Sequence, residues 1–188
     1  MKKLISILLS LALLLSCTAA LAEAAEKTTL GNVEVNGVFT VKAKIPEGYE
    51  AVDMMDFREE NKAWVEVFIM LMPAEGSNKP IYSLTVGMED VWEKGIKLND
   101  VSDEDLAAIE ESFYAEDPDF QITYFESSHG TKILQATDAD NTQVIFYSIY
   151  EGYEIECSVV AVDGELTKEQ LDEALQFLSD LDFEPIQK

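Results

Sequence analysis

The stretch from Thr131 to Val162 limits the fold more than any other part of the chain. It holds three β-rich runs separated by two short polar breaks. The second break is Glu151-Gly152, between Tyr150 and Tyr153. A two-residue loop with glycine second is a hairpin signature, because such loops need positive φ and glycine adopts it without steric cost. This loop sets Tyr150 opposite Tyr153, Phe146 opposite Cys157 and Val144 opposite Val159. Side chains alternate between the two faces of a strand. One face of the hairpin therefore carries Val144, Phe146, Ser148, Tyr150, Tyr153, Ile155, Cys157, Val159 and Ala161. It is almost entirely apolar and is the expected core face. The other carries Ile145, Tyr147, Ile149, Glu154, Glu156 and Ser158, a mixed set expected to be solvated or partly covered.

The rest of the chain supplies partners for this meander. Phe39, Val41, Ala43 and Ile45 alternate with polar residues and predict a half-buried strand, after a short strand at Val33 to Val35 and an Asn36-Gly37 turn. It stops at Ile45-Pro46-Glu47-Gly48-Tyr49, where proline removes a donor and glycine permits a turn. Ala51 to Phe57, Ala63 to Met72 and Ile81 to Val86 read as further strands. The second is so continuously apolar that it predicts a central strand covered on both sides. Val91, Trp92 and Ile96 suit a loop or single helical turn tucked against the fold. Ser102 is a good N-cap for a helix with Asp103, Glu104 and Asp105 in its first turn and Leu106, Ile109 and Phe113 as its buried stripe. Asp117-Pro118 ends it, and Phe120 to Glu126 returns to strand. Thr167-Lys168-Glu169-Gln170 is a capping box. It opens a helix lined by Leu171, Ala174, Leu175, Leu178 and Leu181, expected to run to the end of the pattern.

The N-terminus reads as an address, not as structure. Met1-Lys2-Lys3, the apolar run Leu4 to Leu15 and the small-x-small site Ala20-Leu21-Ala22 predict a secretory signal peptide over 1–22. The run is shorter than the ~20 residues a membrane span needs. Leu14-Leu15-Ser16-Cys17 also resembles a bacterial lipobox, in which Cys17 becomes the lipidated first residue, although Leu15 is unusual at its position. Two outcomes stay open: secretion, or a cell-surface lipoprotein anchored through Cys17. An exposed leader over 23–32 and one α+β domain over 33–188 follow.

Composition narrows the partners. The formal net charge is −24, with 37 acidic residues against 13 lysines and arginines. Phosphate backbones require clustered Lys and Arg, so nucleic acid is excluded as a partner, and anionic membrane surfaces are disfavoured on the same ground. Once Cys17 is removed or lipidated, Cys157 is the sole cysteine, and its place on the apolar face makes it a small buried hydrophobe.

The order of elements resembles the PsbP/Mog1-like α+β fold. The residues that carry the likeness are Phe39 to Tyr49, where a strand runs into Ile-Pro-Glu-Gly-Tyr, and the helix Ser102 to Ala115 followed by the strand Phe120 to Glu126. The meander Thr131 to Val162, followed by an amphipathic helix ending in Leu181-Asp182-Phe183, adds to it. The resemblance implies a twisted antiparallel sheet of about six to seven strands flanked by two main helices. It also implies an accessory or binding role without one shared chemistry. No functional residue of the family maps onto this chain.

Catalytic patterns are absent from the sequence. His129, the only histidine, sits in a turn sequence, and no Gly-x-Ser-x-Gly elbow accompanies it. No zinc-ligand spacing, dinucleotide fingerprint or phosphate-binding loop occurs, so no catalytic residue, metal ligand or cofactor is assigned. Asp138-Ala139-Asp140-Asn141 has alternating oxygen ligands but lacks the glycine and bidentate glutamate of an EF-hand, and suits an Asx-rich turn. Glu116-Asp117-Pro118-Asp119 reads as a helix-end loop. Ile145, Tyr147 and Ile149 remain as a candidate partner face for a protein or a sugar ring; a helix packed across them is the alternative. The expectation is an exported, non-enzymatic binding or accessory module at the bacterial envelope, taking a protein or small ligand. A hydrolase using a carboxylate pair and a low-affinity Ca²⁺ binder are the two alternatives.

Overall fold

The computed structural model of the protein describes residues 32–35, 37–54, 65–87 and 92–186. The signal peptide, Cys17 and the leader up to residue 31 lie outside them, as do Asn36, Phe57, Ala63, Trp64 and Val91. Among the described residues the chain is α+β. Ten strands and two helices follow in order: β1 (Asn32–Val35), β2 (Phe39–Lys42), β3 (Tyr49–Asp53), β4 (Val65–Pro73), β5 (Ile81–Gly87), α1 (Asp103–Glu116), β6 (Gln121–Glu126), β7 (Lys132–Thr137), β8 (Gln143–Tyr150), β9 (Tyr153–Val160), α2 (Lys168–Ser179) and β10 (Asp182–Pro185). A 3₁₀ turn, Leu98–Asp100, precedes α1.

Seven strands form one antiparallel sheet in the order β3-β4-β5-β9-β8-β7-β6. The β8–β9 hairpin has the expected register, with Tyr150 opposite Tyr153, Phe146 opposite Cys157 and Val144 opposite Val159. Its loop residues have φ of 53° at Glu151 and 88° at Gly152, the positive pair of a type I′ turn. The meander β6-β7-β8-β9 returns to β5, so the segment from β5 through α1 to β6 must cross the sheet. It crosses over one face, and the segment through α2 crosses over the other.

The first face is the expected core. Val144, Phe146, Tyr150, Tyr153, Ile155, Cys157 and Val159 pack with Ala174, Phe177 and Leu178 of α2. Each large side chain buried this way contributes about 1.5–3 kcal/mol. Helix α2 starts where its cap predicts: the Thr167 hydroxyl accepts from Gln170 N, and the Gln170 side chain accepts from Thr167 N. Phe177 joins the stripe through an edge-to-face contact with Tyr82 at 5.4 Å between centroids.

The chain after α2 corrects the sequence reading. Leu181-Asp182-Phe183 does not continue the helix. It enters β10, which pairs antiparallel with β2 in a separate three-stranded sheet, β1-β2-β10. That small sheet covers the end of the β8–β9 hairpin. Phe39 meets Tyr150 and Tyr153 edge-on at 5.2 and 5.5 Å, and Phe183 stacks on Tyr150 at 5.0 Å.

Strand β4 is also placed differently. It is second from the edge, and β9 is the central strand. Its long apolar run has a local cause. The register against β5 shifts between Val65 and Val67, so Glu66 is an extra residue in a bulge. The bulge puts Val65 on the same face as Phe68 and Met70, while Val67, Ile69 and Leu71 face α2. Both faces of β4 are buried without its being central, Phe68 and Met70 on one and Val67, Ile69 and Leu71 on the other.

Candidate functional site

The proposed partner face is the first question. Ile145 and Ile149 are fully buried and Tyr147 is 4 % exposed. They lie in a second core with Leu134 and Ala136 of β7, Leu98 of the 3₁₀ turn, and Ile109 and Phe113 of α1. Phe113 and Tyr147 meet edge-to-face at 6.1 Å. Ser102 caps α1 as expected, accepting from Asp105 N at 3.2 Å. The helix therefore covers the three residues, and they offer no surface to a partner. The physical reason is the crossover: a chain going from β5 to the far edge at β6 has to run over one face, and α2 packs on the other.

Of the polar members of that face Glu154 is half-buried, while Glu156 and Ser158 are buried, more fully covered than expected. Ser83, Thr85, Glu156 and Ser158 are all under 9 % exposed. They form two adjacent cross-strand pairs, Ser83 with Ser158 and Thr85 with Glu156, on the neighbouring strands β5 and β9. Glu154 and Glu156 share this face, separated by about 7 Å along the strand. Such a spacing suits a carboxylate pair, but the carboxylates are already engaged. Glu154 Oε1 accepts from the Tyr147 hydroxyl at 2.8 Å and the Trp92 indole at 3.0 Å. Glu156 Oε1 accepts from Ser158 Oγ at 3.3 Å. Burial, with the Glu154 charge beside it, pushes the Tyr147 phenol far above its usual range, so it stays a donor to Glu154. These are buried and half-buried polar contacts that fix packing.

An open polar hollow lies elsewhere, at one end of the sheet. It has a volume of about 300 Å³ and is lined by Lys97, Asn99, His129, Thr131, Tyr150 and Asp182, with Gly130 and Phe183 completing it. That volume is at the small end of ligand sites. Four separate segments build it. Asn99 clamps the 3₁₀ turn to the β6–β7 turn, its amide donating to Gly130 O at 3.1 Å and accepting from Lys132 N at 3.0 Å. Ser127 Oγ shapes the β6–β7 turn by accepting from His129 N and Thr131 N at 3.3 and 3.1 Å. Ser128 Oγ ties that turn to the end of α2 by donating to Ser179 O at 2.7 Å. Tyr150 supplies the floor. Its hydroxyl donates to Phe183 O at 3.0 Å, and the Lys97 ammonium lies 4.9 Å above its ring centre. Burial raises the Tyr150 phenol, with the Glu151 and Asp182 charges adding to the effect.

His129 is where its sequence placed it, in an exposed turn, but it is not isolated. Its Nδ1 is 3.7 Å from Asp182 Oδ1, an ion-pair distance beyond ordinary hydrogen-bond range. The Ser128 hydroxyl is spent on Ser179 O, so serine, histidine and aspartate are neighbours without forming a proton relay. Among the described residues lining it, none is an activated nucleophile.

The remaining candidates resolve locally. The Asp138 carboxylate accepts from Gln143 N at 2.9 Å and from the Thr142 hydroxyl, and Asn141 has φ 53°. The segment is an Asx-type turn closing β7–β8. Asp117 Oδ1 accepts from Asp119 N at 2.9 Å in the loop after α1. Among the described residues no group of three or more His, Cys, Asp or Glu side chains is placed to hold a metal ion. Nor is any described helix long and apolar enough to cross a membrane. Cys157 is buried, which raises its thiol pKa strongly.

Sequence reasoning missed the hollow because its lining is scattered from Lys97 to Asp182. The one local signal was the Asn99 and His129 pair flanking turns that no periodic pattern explains. Comparison with protein-family models, with curated proteins and with solved structures finds no match for this chain.

Proposed function

We propose that this protein is an exported binding or accessory module of the bacterial envelope, with a PsbP/Mog1-like fold, and that it receives its ligand in the hollow between Lys97, His129 and Asp182. One observation carries the reading. The two larger cores, one on each face of the sheet, are covered by helices, and this hollow is where charged and aromatic side chains from four separate segments converge on open space. Support for the fold assignment is the seven-stranded antiparallel sheet with one helix over each face. The signal-like residues 1–22 support export, and Cys17 is the candidate lipid anchor. The hydrolase alternative is weaker, because Glu154 and Glu156 are already bonded to Tyr147, Trp92 and Ser158.

Site-specific photo-crosslinking in intact cells tests the reading. A photoreactive residue at position 129, on the rim, is expected to capture an envelope component. The same residue at position 168, on an exposed part of α2, is expected to capture none. Equal capture from both positions, or none from position 129, contradicts it.

A further inference from the structure

We propose that the hollow is an oxyanion site, taking a small ligand through a carboxylate, phosphate or sulfate group. This rests on the hollow being the binding site, and it adds the ligand class. Lys42, Lys79 and Lys168 pair with Glu184, Glu173 and Asp172. Lys44, Lys94, Lys97 and Lys132 have no such ion pair among the described residues; Lys132 lies over the Tyr124 ring, and Lys97 lies over the Tyr150 ring and lines the hollow. An ammonium held on an aromatic face keeps its other donors available. The only histidine lines the same hollow. Its Nδ1 lies 3.7 Å from Asp182 Oδ1, and Nε2 is the ring's other hydrogen-bonding nitrogen.

The geometry of the support is as informative as the donors. The Asn99 amide uses both of its ends to join the Lys97 segment to the His129 turn. Ser127 then fixes the turn itself. Lys97 and His129, from distant segments, are thus brought to one hollow by neutral hydrogen bonds. Asp182 opposes an anion, and its position beside the imidazole sets the selectivity: a compact group reaching Lys97 and Nε2 is accepted, and a large polyanion is repelled by the surrounding acidic surface.

The test uses the single histidine as a reporter. An isotope-labelled domain is titrated by NMR with inorganic phosphate, then acetate, then glucose at matched ionic strength, while the imidazole signals are followed. Phosphate and acetate are expected to move them saturably at millimolar concentration, and glucose is not. Lys97→Gln is expected to weaken binding about tenfold, the share of one charge-assisted contact. Lys94→Gln, which removes the same charge from an exposed neighbour outside the hollow, is expected to leave binding unchanged. Unsaturable shifts, or equal weakening by both variants, overturn the oxyanion assignment. A final arm adds the small-molecule fraction of the native envelope. If that fraction moves the signals in a Lys97-dependent way while the anions do not, the ligand class is wrong and the hollow still binds. If nothing moves them, both proposals fall.

Discussion

Replacing Gly152 by alanine tests how the hollow is built, because this glycine joins the central hairpin to the segment that carries Lys97. Gly152 has φ 88°, and a Cβ there would lie 2.9 Å from Glu93 O and 3.4 Å from Glu93 C and Lys94 Cα. All three are backbone atoms, so no rotamer change relieves the clash. The Gly152 N–H also donates to Ile96 O at 3.0 Å. Left-handed backbone costs alanine about 1–2 kcal/mol, and a lost or bent hydrogen bond adds about 1 kcal/mol. Pushing the Glu93–Ile96 segment away loosens Trp92 and Ile96 on the second core and adds about 1 kcal/mol more. The expected loss is about 3–4 kcal/mol, within the margin of an ordinary domain. Gly164→Ala is the control. Its φ is 65° and no atom lies within 4 Å of the added Cβ, so only the backbone penalty of about 1–2 kcal/mol applies. Urea unfolding followed by tryptophan fluorescence measures both. If Gly152→Ala loses no more stability than Gly164→Ala, the close packing of hairpin against loop is not real, and Lys97 has no fixed place over Tyr150.

Three further outcomes follow from the same structure. Both Glu116 carboxylate oxygens are buried without a hydrogen-bond partner, at the C-terminal end of α1 where the helix dipole opposes negative charge; burial pushes its pKa from 4.5 up to about 7. The folded state then holds the proton longer than the unfolded chain, so this residue's contribution to stability falls as pH rises from about 4.5 to 7. The residue is only half-buried, so we expect Glu116→Gln to gain about 1 kcal/mol over the wild type at pH 8 and almost nothing at pH 4, in paired urea titrations. The Cys157 thiol is expected to resist a thiol-specific chromogenic reagent in the native protein and to react promptly in denaturant; rapid native reaction would mean that β9 is open. Asp138→Ala is expected to cost about 1 kcal/mol through the lost turn bonds. Millimolar Ca²⁺ is expected to leave the wild-type melting midpoint unchanged, and a rise abolished by Asp138→Ala would revive the calcium alternative.

The local parts of this fold were legible because local physics decides them. Glu151-Gly152 admits one common loop, and that loop dictated every pair from Gln143 to Val160. Ser102 and Thr167 marked helix starts because unsatisfied N–H groups need acceptors there. Non-local pairing was less visible. Phe183 reads equally well as the end of a helical stripe or as a strand residue; it became a strand because β2 offered an open edge beside it. The Ile145, Tyr147 and Ile149 face looked half-solvated because α1 is itself mostly polar, burying Ile109 and Phe113 and little else. A helix with so narrow an apolar stripe announces its own start better than its target. The hollow was illegible for a different reason. Lys97, His129, Tyr150 and Asp182 share no period and no motif, and only the paths of α1 and β10 bring them together.

The most direct test of the binding reading is chemical-shift mapping of the whole domain. A backbone-assigned spectrum is recorded with and without the small-molecule fraction of the native envelope. The account predicts perturbations clustered at Lys97, Asn99, His129 to Thr131, Tyr150, Asp182 and Phe183, and lost in Lys97→Gln. Perturbations centred on Glu154 and Glu156, or on the Asp138 to Asn141 turn, would contradict it and return the carboxylate-pair or cation reading to first place.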